Sequence, residues 1–162
     1  MTDFKKRKIL ELGSILFFIF CFCFLLNFLW EAIHSVYLYK NHDFAASSYI
    51  PMLIYVSSVD SLVVLGLYFG VSIIWLNLFW IKIMLKSQVL VFSFIGISVA
   101  AIIEYRSVIY FHRWMYREDM PTVFGIGISP LVQLSITGII AVWLTKELLY
   151  GKGLFRNEHF DL

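Results

Sequence analysis

Charged residues are scarce in this sequence, and cysteine is nearly absent. Asp, Glu, Lys and Arg together make up 15% of the 162 residues, whereas they make up about 25% of ordinary soluble domains. Cys21 and Cys23 lie two positions apart, and on a helix that spacing turns their side chains about 200° away from each other. No second cysteine pair and no suitably spaced histidine completes a zinc site. The sequence therefore gives no indication of a disulfide framework or a structural zinc.

Familiar catalytic signatures are missing as well. The sequence has no Ser–His–Asp arrangement, no phosphate-binding loop and no dinucleotide fingerprint. Its formal net charge of +2 is too small to suggest a nucleic-acid partner. These absences leave open whether the chain is an enzyme.

Hydrophobic residues, by contrast, are abundant. They make up 60% of the chain, and the mean hydropathy is +0.83. A water-soluble domain of this length could not hide so much apolar surface in one core. We therefore expect residues 1–162 to form a single membrane domain surrounded by membrane lipids.

Four apolar runs are long enough to cross a bilayer, at residues 9–39, 51–76, 89–110 and 130–149. About 20 helical residues cross roughly 30 Å of hydrocarbon, and unpaired backbone groups are too costly there for irregular structure. The predicted fold is therefore all-α, a polytopic membrane protein built as a bundle of four transmembrane helices.

Several residues predict how these helices begin and end. The run from Ile9 is longer than the roughly 7–15 apolar residues of a signal-peptide core, which favours a retained first span. Pro51 is expected in the first turn of the second helix, and Ser129 is expected to cap the fourth helix just before Pro130. Trp80, between the second and third helices, is expected among the lipid headgroups.

The distribution of Lys and Arg predicts the orientation. Nine of the thirteen lie at the termini or between the second and third spans, and four lie at or near the other side of the membrane. The nine are Lys5, Lys6, Arg7, Lys8, Lys82, Lys86, Lys146, Lys152 and Arg156; the four are Lys40, Arg106, Arg113 and Arg117. Because basic residues accumulate on the cytoplasmic side, both termini are predicted to be cytoplasmic.

Small residues recur at a spacing of four in two spans. Gly66 and Gly70 form such a pair in the second span, and Gly96 and Ala100 form one in the third. Pairs of this kind let helix backbones approach closely. We expect them to pack the bundle, and Gly66 with Gly70 could also join two copies of the chain in a homo-oligomer.

All four predicted helices carry polar groups in the outer half of the membrane. In the predicted orientation, Glu31 and His34 lie near the outer end of the first helix, on the face that also carries Asn27. Each other helix adds polar residues at a similar level, and the predicted pocket consists of Glu31, His34, Asp60 and Glu104 supported by Arg106 and Gln133. An ionised side chain near the bilayer centre costs roughly 2.5–3.5 kcal/mol, so such groups turn inward.

Three interpretations of this pocket are open. The residues could form a purely structural network in which Arg106 and His34 balance the acids and fix the packing of the bundle. They could instead hold a metal ion through Glu31, His34, Asp60 and Glu104, because Glu31 and His34 have the Glu-x-x-His spacing of carboxylate metal sites in helical bundles. The third interpretation is an outward-facing pocket that binds or transports a small ligand or a proton, or that acts on a lipid-linked substrate.

The predicted outer loop at 120–129 combines apolar residues with Gly and Pro. Its apolar part, 122–128, is too short to span a bilayer. It either dips into the outer leaflet above the polar residues or lies at the interface, and the sequence favours neither.

The chain resembles a group of small, uncharacterised prokaryotic membrane proteins with four helices. The resemblance rests on short motifs spread over nearly the whole chain: Trp30, Glu31, His34 and Ser35; Asp60; Glu104; Arg113, Trp114 and Tyr116 followed by Met120 and Pro121; and Gly127, Ser129, Pro130, Leu131 and Gln133. The sequence departs from that pattern at Val36 and Tyr37, where the group has a proline shortly after the histidine. The resemblance implies one continuous unit in a prokaryotic plasma membrane and implies no activity.

Overall fold

The computed structural model of the chain describes residues 2–40 and 44–151. Four long helices dominate it: α1 (Thr2–Tyr37), α2 (Ala46–Ile74), α3 (Lys86–Glu104) and α4 (Ile128–Lys146). A π-helical segment extends α3 over Tyr105–Tyr110, and another extends α4 over Glu147–Gly151. Each of the four is long and apolar enough to cross a membrane, which confirms the predicted number and kind of helices.

The helices form a bundle in which α1 packs against α2 and α4, while α3 packs mainly against α4. The apolar core lies along their shared axis and includes Ile19 of α1, Val64 of α2, Phe92 of α3 and Ala141 of α4, each at most 1% exposed. The outer surface of the bundle is also apolar, with residues such as Leu25 at 63% and Phe94 at 73% exposure. An apolar core inside an apolar surface is typical of helices that are solvated by lipid.

The close packing predicted for glycines is confirmed at Gly96 and is not found at Gly66. A side-chain carbon on Gly138 of α4 would lie 2.8 Å from the Phe92 ring of α3, and one on Gly96 would lie 3.3 Å from Leu67 of α2. These two glycines therefore allow close helix packing. By contrast, nothing lies within 4 Å of such a carbon on Gly66. The close contacts predicted for Gly66 are not made within the described part of this chain.

One end of the bundle carries the α2–α3 connection together with the start of α1 and the end of α4, and we call it the termini end. A 3₁₀ turn at Trp80–Lys82 lies in this connection. Lys82 forms a salt bridge of 2.6 Å with Glu11 of α1, and Tyr150 after α4 donates to the same carboxylate at 2.8 Å. Trp80 is 1% exposed and stacks on the Tyr68 ring, so it packs in the core of the bundle, and its place at the level of the lipid headgroups stays a prediction.

The opposite end carries the α1–α2 and α3–α4 connections, and we call it the ribbon end. Strand β1 (Tyr39–Lys40) pairs antiparallel with β2 (Met115–Tyr116), which joins the two connections. Strands β3 (Thr122–Val123) and β4 (Ile126–Gly127) form a hairpin. Its two-residue turn has positive φ at both positions, Phe124 and Gly125, as a type I′ turn requires. The predicted loop at 120–129 therefore contains a hairpin, whose tip residue Phe124 is 96% exposed.

Two helix starts differ from the prediction. α2 begins at Ala46, so Pro51 lies inside the helix instead of in its first turn. The extra residues are held against α1, because the Tyr49 hydroxyl lies 2.6 Å from Ser35 Oγ and donates to the Ala32 carbonyl at 3.0 Å. α4 begins at Ile128 after Gly127, and Ser129 lies in its first turn without capping it.

Candidate functional site

A cavity of about 500 Å³ lies between the helices toward the ribbon end. All four helices line it, with Glu31 from α1, Asp60 from α2, Glu104 from α3 and Gln133 from α4. These are four of the six residues predicted for the site. Three carboxyl groups from three separate helices thus face one cavity, as the need to turn charge away from lipid predicts.

Gln133 links three helices on one side of the cavity. Its amide nitrogen, Nε2, lies 2.7 Å from Glu31 Oε1, 3.1 Å from Asp60 Oδ2 and 3.1 Å from Asn27 Oδ1. An amide nitrogen carries two hydrogens, so it cannot donate fully to three oxygens at the same time. At this point in the bundle the acceptors outnumber the hydrogens that Gln133 can supply.

Asn27 anchors this network on the core side. It is fully buried and accepts a hydrogen bond from Thr137 Oγ1 of α4 at 3.1 Å. Its own amide nitrogen donates to the Cys23 carbonyl one turn earlier at 3.0 Å. The sequence places Asn27 on the same helical face as Glu31, but nothing in the sequence pairs it with Thr137.

Glu104 lies on the other side of the cavity, where the α-helical part of α3 ends and the π-helical segment begins. Its carboxylate accepts a hydrogen bond from the Tyr116 hydroxyl of β2, and Trp114 Nε1 donates to the same oxygen at 3.4 Å. π-Helical segments within helices occur often at functional sites, because they redirect the side chains around them. The segment after α3 therefore holds Glu104 against the connection that folds back over it.

Two tyrosines beside the cavity keep their protons at neutral pH. Burial raises the pKa of the Tyr116 hydroxyl above its ordinary value, and its hydrogen bond to Glu104 raises it further. Burial also raises the pKa of Tyr39, which lines the cavity, and the nearby Glu104 and Glu31 carboxylates act in the same direction. Both phenols are therefore hydrogen-bond donors at the ribbon end of the cavity.

His34 lies next to the cavity without lining it. The ring is 4% exposed, and its Nε2 is hydrogen-bonded to the Ser129 hydroxyl of α4. The rings of Trp30 and Tyr39 pack edge-on against it, with centroids 5.8 and 5.6 Å away. The structure thus separates His34 from the acids, and Ser129 binds this side chain where a helix cap was predicted.

Arg106 does not reach the cavity either. It is exposed, and its guanidinium carbon lies 5.7 Å from the centre of the Phe111 ring. Because two positions on a helix separate side chains by roughly 200°, Arg106 points away from the face that carries Glu104. Arg113, in the connection after α3, lines the cavity instead.

The acids of the cavity have no charged partner among residues 2–40 and 44–151. The two salt bridges in that part of the chain join Lys40 to Glu118 and Lys82 to Glu11, and neither pair lines the cavity. The charge balance predicted from Arg106 and His34 is therefore not formed there. Hydrogen bonds from neutral groups stabilise the carboxyl groups instead.

Within the same residues, no group of three or more His, Cys, Asp or Glu side chains is placed to hold a metal ion. Of the four residues considered for a metal site, Glu31, Asp60 and Glu104 line the cavity and His34 does not. His34, the nitrogen ligand of that set, is directed toward Ser129.

Four residues at the cavity were not predicted for the site from the sequence. Three of them line the cavity, Tyr39, Arg113 and Trp114, and the fourth, Tyr116, binds Glu104. All four come from the two connections at the ribbon end, where no hydrophobic period indicates the path of the chain. The resemblance does single out Arg113, Trp114 and Tyr116, although it gives them no role.

Comparison of the chain with models of protein families, with curated proteins and with solved structures found no match.

Proposed function

We propose that this chain is a multi-pass protein of a prokaryotic plasma membrane that binds a small cationic ligand in its cavity. Both termini are cytoplasmic in this proposal, and the ribbon end faces outward. The observation that carries it is the meeting of Glu31, Asp60 and Glu104 at one cavity of about 500 Å³. A pocket of several hundred Å³ with a few convergent polar groups is typical of small-molecule sites.

The arrangement of basic residues supports the orientation. Lys82 pairs with Glu11 of α1 at the termini end, which brings the α2–α3 connection close to the lysine-rich start of α1. Lys152 and Arg156, which contribute to the predicted cytoplasmic excess, lie outside the described residues. A reporter that fluoresces only in the cytoplasm, fused to the C-terminus or inserted after Glu118, tests this topology. Fluorescence is expected from the first fusion only, and the reverse result would contradict the orientation.

The hydrogen bonds around Gln133 support a ligand that donates hydrogen bonds. The amide nitrogen of Gln133 lies within hydrogen-bond distance of three side-chain oxygens, which belong to Glu31, Asp60 and Asn27. Thr137 also donates to Asn27, so Gln133 can give each of the two carboxylates one hydrogen. An ionised carboxylate accepts up to about four hydrogen bonds, so an additional donor in the cavity would fill acceptor positions that Gln133 leaves open. A protonated amine supplies up to three N–H groups and a positive charge, which matches three carboxyl groups better than a neutral or anionic ligand does.

The lack of ion pairs also favours binding over a purely structural role. A structural network of the predicted kind needs its acids balanced by basic side chains of the protein. Among the described residues, no such pair is formed by Glu31, Asp60 or Glu104. A cation that enters the cavity would therefore find acidic groups that no basic side chain already neutralises.

Thermal unfolding of the purified protein in detergent tests the proposal, with methylammonium as the probe. Potassium and tetramethylammonium at the same concentration serve as controls, because neither can donate a hydrogen bond. A ligand present at ten times its Kd stabilises the folded state by about 1.4 kcal/mol, so methylammonium is expected to raise the unfolding temperature by a few degrees.

Asp60→Asn and Glu104→Gln are expected to abolish the extra stabilisation by methylammonium. Glu118→Gln is the matched control, because it makes the same chemical change at an exposed carboxylate outside the cavity. It is expected to respond as the wild type does. Equal stabilisation by methylammonium and potassium in the wild-type protein would refute the binding of a cationic donor.

A further inference from the structure

The cavity reaches the side of the bundle between α2 and α3. Tyr55 and Val59 of α2 line it, yet they are 70% and 39% exposed, and Ile103 of α3 lines it at 38% exposure. These side chains thus border both the cavity and the outer surface of the bundle. The cavity therefore has an apolar opening on the side of the protein, which we call the side opening and define by Tyr55, Val59 and Ile103.

The side opening lies nearer the ribbon end than a close contact between α2 and α3. Near Gly96 the helices are close, since a side-chain carbon there would meet Leu67 at 3.3 Å. Nearer the ribbon end, α2 residues from Met52 to Asp60 and α3 residues from Ala100 to Ser107 line the cavity instead.

The depth of the side opening matches the hydrocarbon region of a bilayer. Val59 lies thirteen residues into α2, roughly 20 Å along the helix axis at about 1.5 Å per residue. Ile103 lies seven residues before the last residue of the π-helical segment, which is roughly 10 Å. In the proposed orientation, the side opening therefore meets lipid acyl chains within the hydrocarbon region.

Apolar, acidic and basic side chains follow one another from the side opening, through the cavity, to the ribbon end. Apolar side chains border the side opening, and the acidic group of Glu31, Asp60 and Glu104 lies inside the cavity. Arg113 borders the cavity from the connection after α3, at the ribbon end. An apolar chain, an ammonium group and a phosphate would each meet a complementary surface there.

We propose that the cavity takes up an aminophospholipid from the surrounding membrane through the side opening. The ammonium group lies among the three acids, the phosphate lies near Arg113, and an acyl chain leaves between Val59 and Ile103. This proposal rests on the proposed function, because it identifies the cationic ligand as a membrane lipid. It also gives Arg113 a role that a free amine does not require.

Native mass spectrometry of the full-length protein tests the proposal. The probes are phosphatidylethanolamine, phosphatidylglycerol and phosphatidylcholine with identical acyl chains, each added in mild detergent. The wild-type protein is expected to retain about one phosphatidylethanolamine and at least tenfold less phosphatidylglycerol, which lacks an amine. Phosphatidylcholine is expected to bind less than phosphatidylethanolamine, because its quaternary ammonium has no N–H group to donate.

Variants of the side opening separate this route from unspecific lipid binding. Val59→Trp combined with Ile103→Trp narrows the opening and is expected to lower phosphatidylethanolamine retention at least tenfold. Ile73→Trp combined with Leu90→Trp is the matched control, because both residues are exposed on the same two helices and do not line the cavity. This control is expected to retain the lipid. The proposal would be overturned if the two double variants retained equal amounts of phosphatidylethanolamine. It would also be overturned if the wild-type protein retained phosphatidylglycerol and phosphatidylethanolamine equally.

The two probes, applied to the wild-type protein, distinguish failure of this inference from failure of the proposed function. Arg113→Gln is expected to weaken phosphatidylethanolamine retention severalfold, because the phosphate loses its cationic partner. If methylammonium stabilises the protein and phosphatidylethanolamine is not preferred, the cavity binds cations but the lipid proposal is refuted. If neither probe acts, both proposals are refuted.

Discussion

The Tyr116 hydroxyl of β2 donates a hydrogen bond to the Glu104 carboxylate at the end of the α-helical part of α3. These residues lie twelve positions apart, on the two sides of the turn by which the chain leaves α3. The bond fixes the connection at the ribbon end onto the bundle. It also keeps one of the three acids of the cavity in a defined position.

Removal of this hydroxyl is expected to loosen the ribbon end. Tyr116→Phe deletes the donor and leaves Glu104 with the longer bond from Trp114 at 3.4 Å. We expect the free energy of unfolding to fall by about 1–2 kcal/mol, which is typical of a lost hydrogen bond to a buried partner. Thermal unfolding in detergent measures the change. Tyr110→Phe is the control, because Tyr110 is 72% exposed, and an equal loss in both variants would contradict the assignment.

Alkaline pH is expected to destabilise the protein through ionisation of Tyr116. The pKa of Tyr116 is raised in the folded protein above its ordinary value of 10.0. As pH rises through that ordinary value, the unfolded chain releases the proton before the folded chain does. Stability is therefore full below pH 10 and falls at higher pH.

Unfolding temperatures across the alkaline range measure this loss. The decline is expected to be shallower in Tyr116→Phe, since that variant has no phenol at this position. An identical slope in the two proteins would show that Tyr116 does not contribute to the alkaline loss.

The network around Gln133 is expected to be more sensitive to the loss of the amide than to the loss of a single hydroxyl. Gln133→Leu removes the donor shared by Asn27, Glu31 and Asp60. We expect a loss of about 2–3 kcal/mol, because several buried acceptors lose their partner. Thr137→Val removes one donor to Asn27 and is expected to cost about 1 kcal/mol. Thermal unfolding gives the order of the two variants, and the opposite order would contradict the central role of Gln133.

Gly138→Ala and Gly66→Ala are expected to have very different effects on the free energy of unfolding. Gly138→Ala places a carbon 2.8 Å from the Phe92 ring, so α3 and α4 must move apart. We expect a loss of about 1–3 kcal/mol, as for other cases of overpacking. Gly66→Ala is the matched control, since nothing lies within 4 Å of the added carbon.

Size-exclusion chromatography extends the comparison to assembly. Gly66→Ala is expected to leave the unfolding temperature of a single copy unchanged. A smaller particle in Gly66→Ala than in the wild type would locate the possible homo-oligomer at Gly66 and Gly70, whereas equal particle sizes would argue against it.

Hydropathy alone predicted the four helices, because only an apolar run of about 20 residues satisfies both the lipid and the backbone. The same logic brought Glu31, Asp60, Glu104 and Gln133 together. A polar group that turns away from lipid in each of four helices has only the interior of the bundle to face. The sequence predicted that these four residues would face one another without any knowledge of how the helices pack.

The rest of the site depends on details that periodicity does not contain. Arg106 lies only two residues from Glu104, but those two positions place it on the opposite side of α3. His34 is on the predicted face of α1, yet its partner Ser129 is determined by where α4 begins. Arg113 and Tyr116 reach the cavity because a two-residue pairing of β1 with β2 folds their connection back. Such short pairings leave no pattern in the sequence.

The position of Gln133 and Thr137 on α4 has a consequence for biogenesis. α4 leaves the ribosome after the three other helices, so Asn27, Glu31 and Asp60 are synthesised before their partners Gln133 and Thr137. A chain that stops before Ile128 would hold an asparagine and two acids without the amide and hydroxyl that bind them. Only completion of the last helix supplies these hydrogen-bond donors.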